Sequence, residues 1–145
     1  MNGKKLKLRA KDAEDIQIIS AVLQDSILPV CDITFQKDAR TFIAVTQRLR
    51  REAGEAGEAE RTCCALTIKG VRNVQTHGID QHHSEMILDL LAIILEPPQV
   101  LNLVFAGDIR IRLEMETWSG TVEDFGEPWP TQCHPCHDNG AEKTS

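Results

Sequence analysis

The chain has 145 residues, 41% apolar and 26% charged, with a net charge of −6 at neutral pH, the balance of one globular domain that buries about two-thirds of its unfolded surface. Its acidity repels phosphate backbones, and an aromatic content of 4% with no Tyr offers little base stacking, so nucleic-acid binding is not expected. No uncharged apolar run reaches about 18 residues and no apolar stretch follows the basic N-terminus, so neither a membrane span nor an export signal is expected, and the cysteines read as reduced thiols of a cytoplasmic protein.

Leu6, Leu8 and Ala10 alternate with Lys5, Lys7 and Arg9, which predicts a short strand, at a sheet edge because lysines blunt further pairing. Asp12 offers an N-cap, and Glu14 and Asp15 sit in a first turn where the helix dipole favours acids. Ile16, Ile19, Ser20 and Leu23 recur at helical spacing, so 13–24 reads as one amphipathic helix. Its β-branched residues lower its intrinsic propensity, so packing on a sheet must stabilise it. Gln24-Asp25 at its end suits turn contacts better than chemistry, and Pro29 forbids continuation. Val30 to Phe35 and Phe42 to Leu49 then read as strands joined by the polar turn 36–40, with Cys31 as a small core residue of the first.

Residues 50–61, RREAGEAGEAER, are the one low-complexity stretch, where Gly54 and Gly57 in a Glu-Ala background predict a flexible, solvated acidic loop. Cys64, Leu66 and Ile68 resume strand alternation. Gly70 interrupts it, and the opposite parity of Val71 and Val74 predicts a bulge before His77-Gly78. Residues 86–95 fit a helix face through Ile87, Leu90, Leu91 and Ile94. The unbroken run LLAIIL before Pro97-Pro98 favours instead a central strand buried on both sides.

The stretch 100–116 is a hairpin. Ile109, Ile111, Leu113 and Met115 alternate with Arg110, Arg112, Glu114 and Glu116, a dry face and a wet one. An odd loop of about three or five residues puts Leu101, Leu103 and Phe105 on the dry face and keeps Asn102 wet, so that register is preferred. Beyond Glu116 the chain turns polar. The folded domain is expected over 1–128, with 129–145 a frayed tail.

The tail holds Cys133-His134-Pro135-Cys136-His137, which has the C-x-x-C-H spacing of covalent haem, with Met86 or Met115 free to supply the other axial ligand. Haem attachment belongs to an exported setting, so zinc on Cys133, His134, Cys136 and His137 is the better metal reading. Structural zinc draws two separated pairs, and Cys63 and Cys64 point to opposite strand faces, so a solvated tail with incidental thiols is preferred. His77, His82 and His83 beside Asp80 and Glu85 suggest an oriented base or a metal pair, but adjacent histidines diverge on an extended chain and a polar loop explains them. No phosphate loop, nucleophile elbow or H-E-x-x-H motif occurs.

Leu6-Lys7-Leu8-Arg9-Ala10, the helix end Ser20-Ala21-Val22-Leu23-Gln24-Asp25, the run Leu90-Leu91-Ala92-Ile93, and Phe105-Ala106-Gly107 with Ile111-Arg112-Leu113-Glu114 carry a resemblance. The chain resembles domain-of-unknown-function family 2948, an uncharacterised bacterial family found mainly in alphaproteobacteria, from about Leu6 to Asp138. It departs from the family pattern at Gly107-Asp108-Ile109-Arg110, Gly-rich in the family, at Gln47-Arg48-Leu49, where members have an Asn-Arg-Phe-like strand end, and in the tail cysteines Cys133 and Cys136, which are not part of that pattern. The resemblance implies a cytoplasmic single domain and brings no known activity, cofactor or catalytic residue.

The sequence therefore predicts an α+β domain: one N-terminal helix packed on a bent antiparallel sheet of about six or seven strands, partly closed into a barrel or sandwich. With no catalytic, cofactor-binding or metal residue assigned, the leading function is a non-catalytic binding or protein-interaction module with a protein or small-molecule partner. The alternative is a metal- or thiol-dependent protein working through Cys133, Cys136 and His137.

Overall fold

The computed structural model of the chain describes residues 6–50, 60–80 and 85–125. Strand β1 (Lys7–Ala10) leads into helix α1 (Ala13–Leu23), then β2 (Ile27–Pro29), a 3-10 turn (Val30–Asp32), β3 (Ile33–Gln36) and β4 (Thr41–Arg50). Four further strands follow: β5 (Glu60–His77), β6 (Ile87–Glu96), β7 (Val100–Phe105) and β8 (Ile109–Asp124). Every pairing is antiparallel. Strands β8, β5, β4, β2, β6 and β7 close in that order back onto β8, a six-stranded barrel, while β1 adds to β8 and β3 to β4. Closure removes most of the free edges that an open sheet of this length would expose.

The hairpin forms in the odd register. Phe105 pairs with Ile109, Leu103 with Ile111 and Leu101 with Leu113 around a three-residue loop, so all six apolar side chains share the inner face. The loop needs left-handed backbone, supplied by Gly107 (φ 86°) and Asp108 (φ 61°). Phe42, Ala44, Leu66, Ile68 and Val122 complete the interior by the same alternation, and Val71 joins them across the bulge after Gly70.

The helix is as its spacing requires: Asp12 caps it by accepting the Asp15 amide at 2.9 Å, and Ile16, Ile19 and Leu23 are buried. It lies mainly along β6, and Ser20 Oγ accepts the Ile93 amide at 2.9 Å. That bond lies past Asp89, the last β6 residue paired with β2, where the side of the strand away from β7 leaves an amide for the helix to satisfy. Strand β2 is the shortest stave and joins β4 by one residue pair, Ile27 with Gln47. Arg61 staples that seam: its Nη1 donates to the carbonyls of Asp25 and Gln47, each at 3.1 Å.

Several expectations are corrected. Eight strands form, because Ile27–Pro29 adds a short strand; 30–35 begins as a 3-10 turn, Val30–Asp32, and Cys31 on it is exposed rather than core. Strand β6 confirms the strand reading of 86–95 but not burial on both sides, since the barrel has one interior and Ile87, Leu91 and Ile94 face out. Strand β8 runs on to Asp124 past Glu116, its polar outer residues hiding a second inward set that includes Val122. Strands β4 and β5 reach Arg50 and Glu60, and the rest of the acidic stretch lies outside the described residues. Cys63 is disulfide-bonded rather than a reduced thiol.

Candidate functional site

The register that turns Leu103 and Ile111 inward turns Asn102, Val104, Arg110 and Arg112 outward. Cross-strand pairing sets two rows on this outer face. One runs Gln75, Arg112, Asn102, Ile94; the next runs His77, Arg110, Val104, Ala92. Arg110 and Arg112 are neighbours along β8 on one face, so their stems are about 6.7 Å apart. Between the strands lies an open recess of about 290 Å³ lined by Gln75, Thr76, His77, Asn102, Arg110 and Arg112.

Acids fence the recess. Arg112 Nη1 is 3.5 Å from Glu96 Oε1, and its Nε is 3.8 Å from Glu114 Oε2. Asn102 Nδ2 donates to the same Glu96 oxygen at 2.9 Å. At the other end His77 Nε2 stands 3.4 Å from Asp108 Oδ2, both side chains well exposed. The Arg110 side chain makes no hydrogen bond or ion pair with another described residue. The ion pairs at this surface are long and solvated, worth about 0–1 kcal/mol each, so a partner exchanges them at little cost. The arrangement offers guanidinium and amide donors to carboxylates, and no nucleophile stands beside a base. A small-molecule pocket is an enclosed concavity lined mostly by hydrophobic and aromatic residues; this recess is open to solvent, and the residues that line it are Gln, Thr, His, Asn and Arg.

A second polar group lies inside the barrel. Arg48 and Asp124 share strand parity with core residues and meet there: Arg48 Nε donates to Asp124 Oδ1 at 3.0 Å, and Nη2 to Oδ2 at 2.9 Å. The Leu6 amide adds a bond to Oδ2 at 2.9 Å, tying β1 to the pair. Cys64 Sγ is 3.3 Å from Thr46 Oγ1. Burial pushes the Cys64 thiol up to about 12, against the smaller opposing effect of the Thr46 hydrogen bond. A thiol held neutral in this way is an inert core group rather than a nucleophile.

Of the residues weighed from sequence, Cys133, His134, Cys136, His137, His82 and His83 lie outside the described residues. Among the described residues no group of three or more His, Cys, Asp and Glu stands close enough to hold a metal ion. Asp25 is the left-handed turn residue after α1 (φ 71°) and donates its amide to Leu90, the turn role its position suggested. By sequence alone Arg110 and Arg112 are simply the wet face of a hairpin. The signal that points to them is two cations of equal parity between acids, in a chain whose net charge is negative.

The chain belongs to the family described as a protein of unknown function, DUF2948, whose model matches residues 6–137. No curated protein and no solved structure matches it. The matched span takes in the hairpin, Arg48, Asp124 and the Cys133–His137 segment. No helix is long and apolar enough among the described residues to cross a membrane.

Proposed function

We propose that this chain is a non-catalytic protein-interaction module, working in the cytoplasm, and that its contact surface is the outer face of β5, β8 and β7 around Arg110 and Arg112. The observation that carries this reading is Arg110, a cation without an acidic partner among the described residues, in a recess on an acidic protein. Nearby acids in excess normally find such a group, and one left open is available to a partner's charge. The two arginines stand on one strand, β8, of a closed barrel, so the surface is preorganised and binding orders little backbone.

The test is site-specific photo-cross-linking of the full chain in cells that produce it. A benzophenone side chain replaces Gln75, which lines the recess, and in a control chain replaces Glu14 on the exposed side of α1. A discrete adduct from position 75, absent from position 14 and lost when Arg110→Glu and Arg112→Glu are introduced, supports the reading. Equal adducts from both positions, or one indifferent to the charge reversal, would place the contact surface elsewhere.

A further inference from the structure

We infer that the partner presents an extended peptide segment with two carboxylates two residues apart and a cation at the same spacing on either side, and that Arg110 and Arg112 receive the carboxylates. This rests on the interaction reading above and adds the class, spacing and charge order of what is bound.

The charge order is written along β8. Asp108, Arg110, Arg112 and Glu114 give an acid, two cations and an acid on one outer face, with Asp108 brought over that face by its contact to His77 and Glu114 by its contact to Arg112. Side chains on one face of an extended peptide repeat at about 6.7 Å, the same interval as the two arginines. A segment laid along β8 therefore meets both guanidinium groups with residues two apart. A third carboxylate at either end would face Asp108 or Glu114, whereas a lysine there is attracted. The fence thus favours a bounded pair of acids over a long polyanion, which separates a peptide from a nucleic acid.

Backbone pairing points the same way. β8 is hydrogen-bonded to β7 and β5 along the recess, so no free strand edge invites an added strand there. Recognition must run through side chains. Arg112 gives up only a 3.5 Å and a 3.8 Å contact, both at the solvated surface, to accept a new carboxylate. Asn102 and Gln75, on either side of Arg112, add amide donors to the same carboxylate. On the β7 and β6 side the exposed Leu91 and Ile94, with the half-buried Val104, leave apolar surface for a residue flanking the acids.

The experiment uses the full chain and a short fluorescein-labelled peptide in which two glutamates are separated by one threonine and flanked, at the same spacing, by lysines. Binding is read by fluorescence anisotropy beside an isomer with adjacent glutamates, a version with glutamine for glutamate, and a single-stranded oligothymidylate. The alternating peptide is expected to bind about tenfold more tightly than the isomer, one well-formed charged contact being worth a factor of that order. Arg110→Ala and Arg112→Ala should each weaken it about tenfold, and added salt should weaken it further. Equal binding of the two isomers, tighter binding of the oligothymidylate, or no peptide binding overturns the inference. Since the cross-link from position 75 is scored independently, an adduct without peptide binding refutes the ligand class and leaves the interaction reading intact.

Discussion

Gly70 and Thr117 face each other where β5 and β8 bend together, and both are left-handed, with φ of 90° and 45°. A Cβ on Gly70 would lie 2.8 Å from the Thr117 carbonyl oxygen and 2.5 Å from that of Glu116. The backbone has little room to retreat, since the amides of Gly70 and Val71 both donate to the Arg40 carbonyl, at 3.0 and 2.9 Å. Gly70→Ala is therefore expected to cost more than the about 1–2 kcal/mol of left-handed backbone alone. Thr117→Gly should act in the opposite direction and stabilise by about 0.5–1 kcal/mol, because a β-branched residue is strained at positive φ. Urea denaturation of the two variants reads both signs, and a harmless Gly70→Ala would show that the bend does not depend on this contact.

The helix is held to the barrel by one apolar stripe and one polar bond. Leu23 is fully buried, so Leu23→Ala should cost about 2–5 kcal/mol through lost burial and the cavity left behind. Ser20→Ala removes the acceptor of the Ile93 amide and should cost about 1–3 kcal/mol, the loss expected when a buried donor is orphaned. Denaturant titration checks both; a Leu23→Ala loss below about 0.5 kcal/mol would make the helix peripheral to stability.

How much was legible follows from which interactions are local. The helix, its Asp12 cap and the hairpin register were readable because period and parity carry them within a few residues. The bulge after Gly70 was readable from a parity change, but not its partner at Thr117, which lies 47 positions away by the numbering of the two residues. Burial of β6 on both sides was a misreading: LLAIIL fits a central strand of an open sheet as well as it fits a barrel stave with apolar residues left outside. Closure itself is non-local, resting on one residue pair at the β2–β4 seam. Arg110 and Arg112 look like ordinary wet-face residues until the register sets them beside Asn102, Gln75 and His77.

Cys64 gives a pH dependence with a definite sign. Burial first, opposed by the Thr46 hydrogen bond, raises its pKa from 9.0 to about 12 in the folded chain. Folding therefore favours the neutral thiol, and this contribution is complete below pH 9.0 and declines as pH rises from 9.0 towards about 12. The decline approaches about 1.4 kcal/mol per pH unit for one titrating group. The stability difference between the native chain and Cys64→Ser, which does not titrate, should shift towards the variant between about pH 8 and about pH 10.5. A pH-independent difference would show that the thiolate is tolerated in the core. Under native conditions iodoacetamide should modify the exposed Cys31 and spare Cys64 until the chain unfolds.

Arg48 and Asp124 test whether the barrel interior needs its charges or only its volume. Their side chains are 4% and 2% exposed and joined by two hydrogen bonds of 3.0 and 2.9 Å, so each neutralises the other in a site that water does not reach. Removing one partner leaves an uncompensated buried charge, and Asp124→Ala should cost about 3–5 kcal/mol, as should Arg48→Ala. Removing both is different. Arg48→Met with Asp124→Leu fills similar space without a charge, and buried pairs replaced in this way often lose little. Here the Leu6 amide also loses its acceptor on Asp124 Oδ2, so a residual cost of about 1–3 kcal/mol is expected. Part of that residual belongs to the attachment of β1, which keeps the bond from the Asp124 amide to the Leu6 carbonyl at 2.9 Å, and part to the further interaction of Arg48. A double-mutant cycle by denaturant titration measures the coupling, with amide exchange at Leu8 and Ala10 reporting on β1. A double variant as unstable as the sum of the two single variants would show no coupling across the pair and would sink the argument that the two charges are held for each other.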